Sequence, residues 1–557
     1  MMTERPAVVR LVWIALVLFY AVLGLVVLLP DAVYSGDIGV KFVQARALAA
    51  HHFTSLAIPY PGAFLDPERV FFPMRPPFVF TLAGETQAIF SPAAAIIQAA
   101  AVSVAGIRGL TLVSILSAAV ILYAAAVLAS ARDRAGVLVA LGLGGPLWFF
   151  AISGWEHAPG VAFGTAAFAC AARWRHQAAP WVAGLLLGAG ATQRDEVVLL
   201  LPGLLLGLWF QARSWRPLAA AATATIAALV VAGVVDLWWF HRPPAAHLRH
   251  AVHLLQSALR VTKELNADVP VLERFTPRER YETVICYWLL GYGNTGWIVS
   301  FVAGLAAALA VRWRWKSSAG LLVWSIGVIW LAAIDLHEVY TAPKWLAGML
   351  RVSPFFVFAL LPAPPGRGRP DRFHAVVLCT AAVFLAIAYA GVDTTGGKGL
   401  GPRLLFPLFP LLCVTAIATV REYAAAPDRV DRSVGWAGIT LVLMSIAIHV
   451  TGTIPAYVQR NRDDGAVVSA VAASPERVVV ADDVFTAQLM FPLYYRRIIF
   501  LADSPGLGEQ LGASLARQRV AQAILVSRSE QPAVKLFPYT LVRSEQKGRM
   551  VVEHWQR

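Results

Sequence analysis

Long apolar runs follow one another along most of the chain and are separated by short polar or basic segments. An α-helix needs roughly 20 predominantly apolar residues to cross the hydrocarbon core of a bilayer. The pattern therefore predicts a polytopic membrane protein with about thirteen spanning helices. The predicted spans lie near 9–30, 109–130, 135–152, 160–174, 179–193, 197–211, 217–240, 292–311, 319–336, 347–363, 374–391, 404–420 and 434–452.

The last hundred residues have a different pattern. Short β-branched runs at 477–481, 497–501 and 521–526 alternate with stretches typical of helices. We predict an all-α polytopic membrane protein with a small C-terminal α/β domain. Residues 1–452 form the transmembrane domain, with long outer loops at 31–108 and 241–291, and residues 453–557 form the second domain. The tail has no Gly-rich phosphate loop and no nucleophile elbow, so a structural or acceptor-contacting role is expected.

Composition excludes a soluble protein of this length. The chain is 58% hydrophobic and 14% charged, with a mean hydropathy of +0.63, and a soluble fold could not bury so large an apolar excess. Its net charge of +14 could suggest nucleic acid. The basic residues, however, lie in short clusters between apolar runs, which is typical of cytoplasmic loops, so no nucleic-acid partner is expected.

The basic clusters also orient the chain. Arg5 and Arg10 precede the first apolar run, which is longer than a signal-peptide core and lacks a small-residue cleavage site, so we interpret it as an uncleaved span with the N-terminus inside. An odd number of spans then places the C-terminal domain outside. Every loop assigned to the inside is basic: Arg173/Arg175, Arg213/Arg216, Arg312/Arg314/Lys316, Arg367/Arg369/Arg372 and Arg421/Arg429/Arg432.

Signals for metal binding or disulfides are weak. The four cysteines, Cys170, Cys286, Cys379 and Cys413, show no CxxC spacing. Three histidines in the 241–291 loop are spaced by three residues, which fits either a metal patch or an ordinary solvated helix: His247, His250 and His253. Neither pattern decides between a structural and a chemical role.

The first outer loop begins with a carboxylate at the membrane surface. Asp37 follows the first span directly, and the stretch 41–46 is predicted to be amphipathic and to lie along the membrane surface. Asp37 is either the N-cap of that helix or a catalytic group, and the residues alone favour neither.

Two further outer loops are short and rich in ionisable groups. Glu156 and His157 sit together in one turn, and Arg194, Asp195 and Glu196 form the next. Such groups beside membrane spans are candidates for function. The alternative is that short loops are simply polar and that Arg194 pairs with its acidic neighbours.

Cations also lie at the outer ends of later spans. Lys344 follows Asp335, His337 and Glu338, and a Gly-rich segment containing Lys398 leads to Arg403. A cation at the head of a span suits an anionic headgroup, although Arg403 could equally be a snorkelling interfacial arginine. Because ionisable groups gather on the outer face, the pattern favours an outer-leaflet enzyme over a transporter, which would place charges near the bilayer midplane.

Several motifs together resemble a known family. An Asp follows the first span, a Glu-His loop precedes the fourth, and the segments Leu-Leu-Leu-Gly…Arg-Asp-Glu…Leu-Pro at 185–202 and Gly-Pro-Arg-Leu-Leu…Pro at 401–407 follow. This layout, over nearly the whole chain, resembles the GT-C-type membrane glycosyltransferases, particularly bacterial members related to protein mannosyltransferases and to the aminoarabinose transferase of lipid A. Many members carry a paired acidic motif in the first loop, whereas Asp37 stands alone, so a divalent cation as cofactor stays open.

The resemblance implies roles for these residues. Asp37 would be the general base of an inverting transfer from a polyprenyl-phosphate-linked sugar to an acceptor hydroxyl, at the outer face of the bacterial cytoplasmic membrane. Together with the physical need for cations at a leaving phosphate, it makes Arg403, Arg194, Lys398 and Lys344 candidates for binding that phosphate. Glu156, His157, Asp195 and Glu196 are candidates for positioning the substrate.

Other functions and partners remain open at this point. A transporter or flippase, and a polymerase or ligase of cell-envelope glycans, are the alternatives to the transferase. The acceptor could be a glycan, a lipid or a protein, and the residues do not name the sugar. Four tryptophans could stack on a sugar ring or mark the membrane interface: Trp155, Trp238, Trp239 and Trp345.

Overall fold

The structure is a computed structural model, and helices dominate it. It describes residues 6–76, 78–242, 276–291, 295–342, 346–364, 372–391, 403–528 and 533–557. The α-helices are Pro6–Val22, Gly36–Ala50, Pro92–Ala105, Arg108–Leu128, Arg134–Leu143, Leu147–Ile152, His157–Arg173, Ala179–Gln193, Leu201–Ala212, Trp215–Trp238, Pro277–Arg280, Thr295–Trp315, Ala319–Thr341, Met349–Val352, Arg372–Gly391, Phe409–Ala424, Arg429–Ala447, Ile454–Ala473, Val484–Leu489 and Pro505–Arg517. Short 3₁₀ or π segments are Leu23–Val27, Asp195–Leu200, Tyr281–Leu290, Pro354–Leu360, Arg403–Leu408, Ile448–Thr453 and Phe491–Leu493.

Within the described ranges, nine helical stretches are long and apolar enough to cross a membrane. Each coincides with one of the predicted spans, so the multi-pass helical membrane fold is confirmed, but the number thirteen is not. The other four predicted spans are shorter helical segments, at 134–152, 157–173, 179–193 and 349–360. They are broken by residues such as Gly144 and Pro354, or end before they reach spanning length.

The first helix illustrates how lipid-facing and packed surfaces are divided. Pro6 begins it, where its missing N–H costs no hydrogen bond. Leu11 and Leu18 are well exposed on the outer surface of the protein, as expected of side chains that face lipid. Tyr20 is fully buried and donates its hydroxyl to the carbonyl oxygen of Gly142, 2.8 Å away, so its polar end is satisfied within the protein.

Loops that the charge pattern assigns to the inside contact one another. Arg421 lies 2.7 Å from Asp133, and Arg173 donates to the carbonyl oxygens of Val127 and Ala129 at 2.9 and 3.0 Å. Residues assigned to the outside also meet one another, as the next subsection shows. Such grouping fits the predicted alternation of the helices, while the orientation relative to the cytoplasm stays a prediction.

The C-terminal region contains the predicted α/β unit. Strands β3 (Val478–Ala481), β4 (Ile498–Leu501) and β5 (Gln522–Ser527) coincide with the three predicted β-branched runs and pair in parallel in the order β4-β3-β5. An antiparallel hairpin, β6 (Thr540–Lys547) and β7 (Met550–Gln556), extends this sheet beside β5. The hairpin escaped prediction because β6 is largely exposed and polar, and so lacks an apolar signal.

The first outer loop is folded rather than spread on the membrane. It carries the Gly36–Ala50 helix, a hairpin of β1 (Val79–Leu82) and β2 (Glu85–Ala88), and the Pro92–Ala105 helix. The prediction that 41–46 lies along the membrane surface is wrong. Most of the Gly36–Ala50 helix is buried, including Lys41, which is only 1% exposed. Lys41 is paired inside the protein with Glu156, whereas Arg46 is exposed.

Candidate active site

Asp37 lies in the first turn of the Gly36–Ala50 helix, hereafter the Asp37 helix. Ser35, not Asp37, holds the N-cap position, and its hydroxyl accepts a hydrogen bond from the Trp155 indole at 3.1 Å instead of capping the helix. The Asp37 carboxylate accepts a hydrogen bond from the guanidinium of Arg403 at 3.1 Å. The two side chains are 20% and 24% exposed, so this pair is reachable from outside the protein.

Arg403 begins the Arg403–Leu408 segment at the head of a predicted span. Its guanidinium lies over the ring of Trp155, 5.5 Å from the centroid, which favours a fixed cation at this position. Its Nε atom is buried without a hydrogen-bond partner among the described residues. Since guanidinium has five donors in a planar fork, Arg403 can bind an oxyanion while it still faces the aromatic ring.

A buried charge cluster adjoins this pair. Lys41, one helical turn after Asp37, lies 2.7 Å from Glu156. Arg194 bridges Glu156 and Glu196, with both distances 3.0 Å. The side chains of Lys41, Glu156 and Glu196 are only 2–3% exposed. Three segments far apart in sequence, all predicted to lie on the outer side, are thus joined by ion pairs. The alternative that Arg194 pairs with a neighbouring acid is correct for Glu196.

Lys41 was not among the residues predicted for the site. The signal was available, because residues four apart in a helix share a face, and Lys41 therefore projects beside Asp37. It lies in the stretch 41–46, which was predicted to be a helix on the membrane surface, where a lysine needs no functional explanation. Its partner Glu156 could not be identified from a single sequence.

The cluster holds Glu156 in its charged form. Burial by itself would raise the pKa of Glu156, but the nearby Lys41 and Arg194 lower it to about 2. Glu156 is therefore a fixed carboxylate at neutral pH, suited to holding cations in place and unsuited to exchanging protons.

His157 is held neutral beside the cluster. Burial lowers the pKa of His157 well below its ordinary value, and the positive charges of Arg194, Arg403 and Lys41 lower it further. Its ring lies against those of Trp155 and Phe150, with centroids 5.2 and 5.6 Å away. Neither ring nitrogen has a hydrogen-bond partner among the described residues, since the 3.9 Å to Glu196 is too long. The imidazole can therefore donate to, or accept from, a bound hydroxyl.

Among the other candidates, Asp195 adjoins the cluster, because its negative charge interacts with Arg194 and Glu196. Asp195 begins the Asp195–Leu200 segment, and Arg351 binds Asp335 and Glu338 at 2.6 and 2.7 Å. Trp239 donates to the carbonyl of Phe53 at the surface, and Trp238 is exposed. Candidates outside the described residues are Lys344, Lys398, Trp345, His247, His250 and His253. Within the described part of the chain, no three His, Cys, Asp or Glu side chains are grouped to hold a metal ion.

A separate apolar pocket lies between the later helices. Its lining residues include Trp297, Phe301, Val328 and Leu350, with Asp335 as the charged member. None of Asp37, Glu156, His157, Arg194 or Arg403 lines it. The pocket therefore is not the place where the chemistry of the charged site would occur.

The Glu156 ion pairs give a prediction about stability. Glu156→Gln would leave Lys41 and Arg194 facing a neutral group inside the protein, and breaking a buried pair costs about 3–5 kcal/mol. We expect a large fall in the melting temperature of the purified protein in detergent. Because the folded pKa of Glu156 is depressed, its contribution is complete above the ordinary value of 4.5 and is lost as the pH falls towards about 2. The difference between wild type and variant should therefore stay constant at neutral pH and shrink only in acid.

An exposed pair supplies the control. Arg278 and Glu282 lie 2.8 Å apart with side chains 87% and 53% exposed. Glu282→Gln should change stability by no more than about 1 kcal/mol. Equal effects of the two substitutions would contradict a structural role for the buried cluster.

Comparison with known proteins adds to this geometry. No protein-family model matches the chain, and no curated protein matches it in sequence. Among solved structures, ArnT from Cupriavidus metallidurans bound to undecaprenyl phosphate is similar over 97% of this chain and 97% of that chain, with 14% identity and a TM-score of 0.49.

Two structures of an archaeal enzyme are also similar. The oligosaccharyltransferase of Archaeoglobus fulgidus in its apo form is similar over 93% of this chain and 69% of that chain, with 10% identity and a TM-score of 0.44. The oligosaccharyltransferase AglB from Archaeoglobus fulgidus, in complex with an inhibitory peptide and a dolichol-phosphate, is similar over 92% of this chain and 69% of that chain. Its sequence identity is 11% and its TM-score is 0.42. ArnT and AglB are both GT-C glycosyltransferases, the superfamily that the sequence motifs resemble. At these identities and TM-scores, the likenesses carry no argument about activity.

Proposed function

We propose that the protein is a membrane glycosyltransferase that moves a sugar from a polyprenyl-phosphate-linked donor to an acceptor hydroxyl, with inversion at the anomeric carbon. The observation that carries this proposal is the Asp37–Arg403 pair. It joins a carboxylate at the start of one helix to a cation at the head of a predicted span. The cation lies over the Trp155 ring, and both side chains are partly exposed at the protein surface. The sequence motifs that resemble GT-C-type enzymes contain these two residues.

The two members of the pair suit the two ends of the reaction. As the acceptor oxygen attacks the anomeric carbon, its proton passes to the Asp37 carboxylate. The bond between the anomeric carbon and the phosphate oxygen breaks on the opposite side of the sugar, and the electron pair leaves with the polyprenyl phosphate. Arg403 stabilises the negative charge that develops on that phosphate. No nucleotide is consumed, because the phosphate-linked lipid already carries the activated sugar.

The buried cluster fixes the position of these groups. Lys41 and Asp37 share one face of the Asp37 helix. The ion pair between Lys41 and Glu156 therefore holds the face that bears Asp37 against the 153–157 loop. Arg194 is anchored by Glu156 and Glu196 and adds positive charge near the phosphate. His157, neutral and without a partner among the described residues, positions the acceptor hydroxyl.

Transfer can be separated from transport in one reconstituted system. Purified protein in liposomes is supplied with a radiolabelled phosphate-linked donor, a diphosphate-linked donor and a water-soluble acceptor mixture. We expect sugar to leave the phosphate-linked lipid, with release of free polyprenyl phosphate. Movement of intact donor across the bilayer without cleavage would identify a flippase, and consumption of the diphosphate-linked donor alone would identify a polymerase or ligase. Either result would overturn the proposal.

A further inference from the structure

The C-terminal domain packs directly on the Asp37 helix. Its contact is made by the Val484–Leu489 helix, hereafter the Gln488 helix, and by the Phe491–Leu493 turn that follows. The residues that receive it, Gly36 and Gly39, lie three positions apart and therefore share one helical face. Gly36 immediately precedes Asp37.

Both glycines are required by close approach. A Cβ atom at Gly36 would overlap the side-chain amide of Gln488. A Cβ atom at Gly39 would lie 2.5 Å from the backbone oxygen of Gln488 and 3.2 Å from the Cβ of Phe491. Absence of a side chain thus lets the C-terminal domain touch the backbone of the first turn.

The contact continues along the same face of the helix. The Tyr495 hydroxyl donates to the carbonyl oxygen of Val43 at 2.9 Å, and the guanidinium of Arg46 lies 4.9 Å from the centre of the Tyr495 ring. Asp37 and Lys41 lie on a different face, towards Arg403 and Glu156. The Asp37 helix is therefore held between the C-terminal domain and the charge cluster.

Gln488 is unusual within this contact. It is fully buried, and neither atom of its side-chain amide has a hydrogen-bond partner among the described residues. Burying an unpaired amide is costly, so apolar packing alone would favour a leucine or methionine of similar size. A buried polar group kept beside the turn that bears Asp37 indicates a role beyond stabilising the core.

We propose that Gln488 is a positioning residue for Asp37. Its amide wedges against Gly36 and fixes the first turn of the Asp37 helix, so the C-terminal domain is part of the catalytic unit. This inference rests on the proposed function, because it assigns Gln488 an effect on turnover. It predicts that the packing at Gly36 controls the rate of the chemical step and leaves donor binding to Arg403 unchanged.

Two glycines with different neighbours allow a matched test. Gly36→Ala collides with the removable amide of Gln488, whereas Gly39→Ala collides with its backbone, which no side-chain change can remove. Gln488→Ala removes the two atoms that lie closest to a Cβ at Gly36, the oxygen and carbon of the side-chain amide, and leaves the Cβ of residue 488 at 3.0 Å. Gly36→Ala combined with Gln488→Ala should therefore fit after a shift of a few tenths of an ångström. The single, double and control variants are compared in kcat, in KM for the donor and in melting temperature.

We expect Gly36→Ala to lower kcat by about 10- to 100-fold, since a displacement of about 1 Å can cost that much, with KM for the donor unchanged. Gln488→Ala alone should lower kcat less. The Gly36→Ala, Gln488→Ala double variant should recover most of the kcat and the melting temperature, while Gly39→Ala with Gln488→Ala should recover neither.

Contrary outcomes are distinct. Wild-type kcat in Gly36→Ala, or an equal loss in the double variant, would overturn the positioning role even though the enzyme transfers sugar. Equal rescue of Gly39→Ala would overturn it as well, because that rescue cannot arise from the amide. If no variant and no wild type transferred sugar while the melting temperature was rescued, the proposed function would fail, and the effect assigned to Gln488 would fall with it.

Discussion

Asp37→Asn is expected to reduce transfer by about 10²- to 10⁴-fold, because an amide cannot accept the proton of the acceptor hydroxyl. Asparagine keeps the size of the side chain and can still accept a hydrogen bond from Arg403, so folding and donor binding should be preserved. The measurement is single-turnover transfer from bound donor, together with donor affinity from a binding titration. A loss of turnover at unchanged affinity is the signature of a group that acts in the transition state.

An acidic residue in the same loop provides the control. Asp31 is exposed and lies six positions before Asp37. Asp31→Asn removes the same charge at the end of the first span, and we expect wild-type turnover. If Asp37→Asn retained turnover within a few-fold of wild type, or if both substitutions reduced it equally, Asp37 would not be the base.

Arg403→Ala is expected to weaken donor binding and to reduce turnover by about 10²-fold or more, because both the bound phosphate and the leaving phosphate lose a charged donor. Arg403→Lys is the more informative change. Lysine keeps the positive charge but loses the planar fork, so a large residual loss would show that two guanidinium donors contact the phosphate. Donor affinity and kcat are measured for both variants.

An exposed arginine is the control here. Arg278 is 87% exposed, and Arg278→Lys and Arg278→Ala should leave donor affinity unchanged. Normal donor affinity in Arg403→Ala would remove Arg403 from the phosphate site. Arg403 would then be interpreted as an interfacial arginine that snorkels to the membrane surface.

Much of this architecture could be predicted from the sequence because membrane spans and buried parallel strands carry strong local signals. Apolar length located all nine candidate spans found in the described part of the chain, and β-branched runs located β3, β4 and β5. Charge alternation placed Asp37, Glu156, Arg194 and Arg403 on one side of the membrane, and the structure brings these four residues together. Each of these predictions depends on local composition, namely apolar length, β-branched residues or charge, which can be read from a short segment of the sequence.

The parts that could not be predicted depend on partners distant in sequence. A charged residue such as Lys41 is normally expected on the surface of a helix. Its buried ion-pair partner, Glu156, lies 115 positions away in the sequence, so the pairing could not be predicted. No local pattern identified Gln488 as a candidate, because its proposed role depends on contact with Gly36, which is distant in sequence. Four predicted spans correspond to helical segments below spanning length. His157–Arg173 and Ala179–Gln193 are as long as the predicted runs or longer, whereas Gly144 and Pro354 interrupt the runs at 135–152 and 347–363.

The most direct test of the central claim is a transfer assay with purified protein. Wild type and Asp37→Asn are incubated side by side with a panel of radiolabelled polyprenyl-phosphate sugars and membrane acceptors, and labelled product and its anomeric configuration are measured. The proposed function predicts product of inverted configuration from at least one donor with wild type, and almost none with Asp37→Asn. Equal product from both proteins, product of retained configuration, or no donor consumed by well-folded wild type across the panel would contradict it.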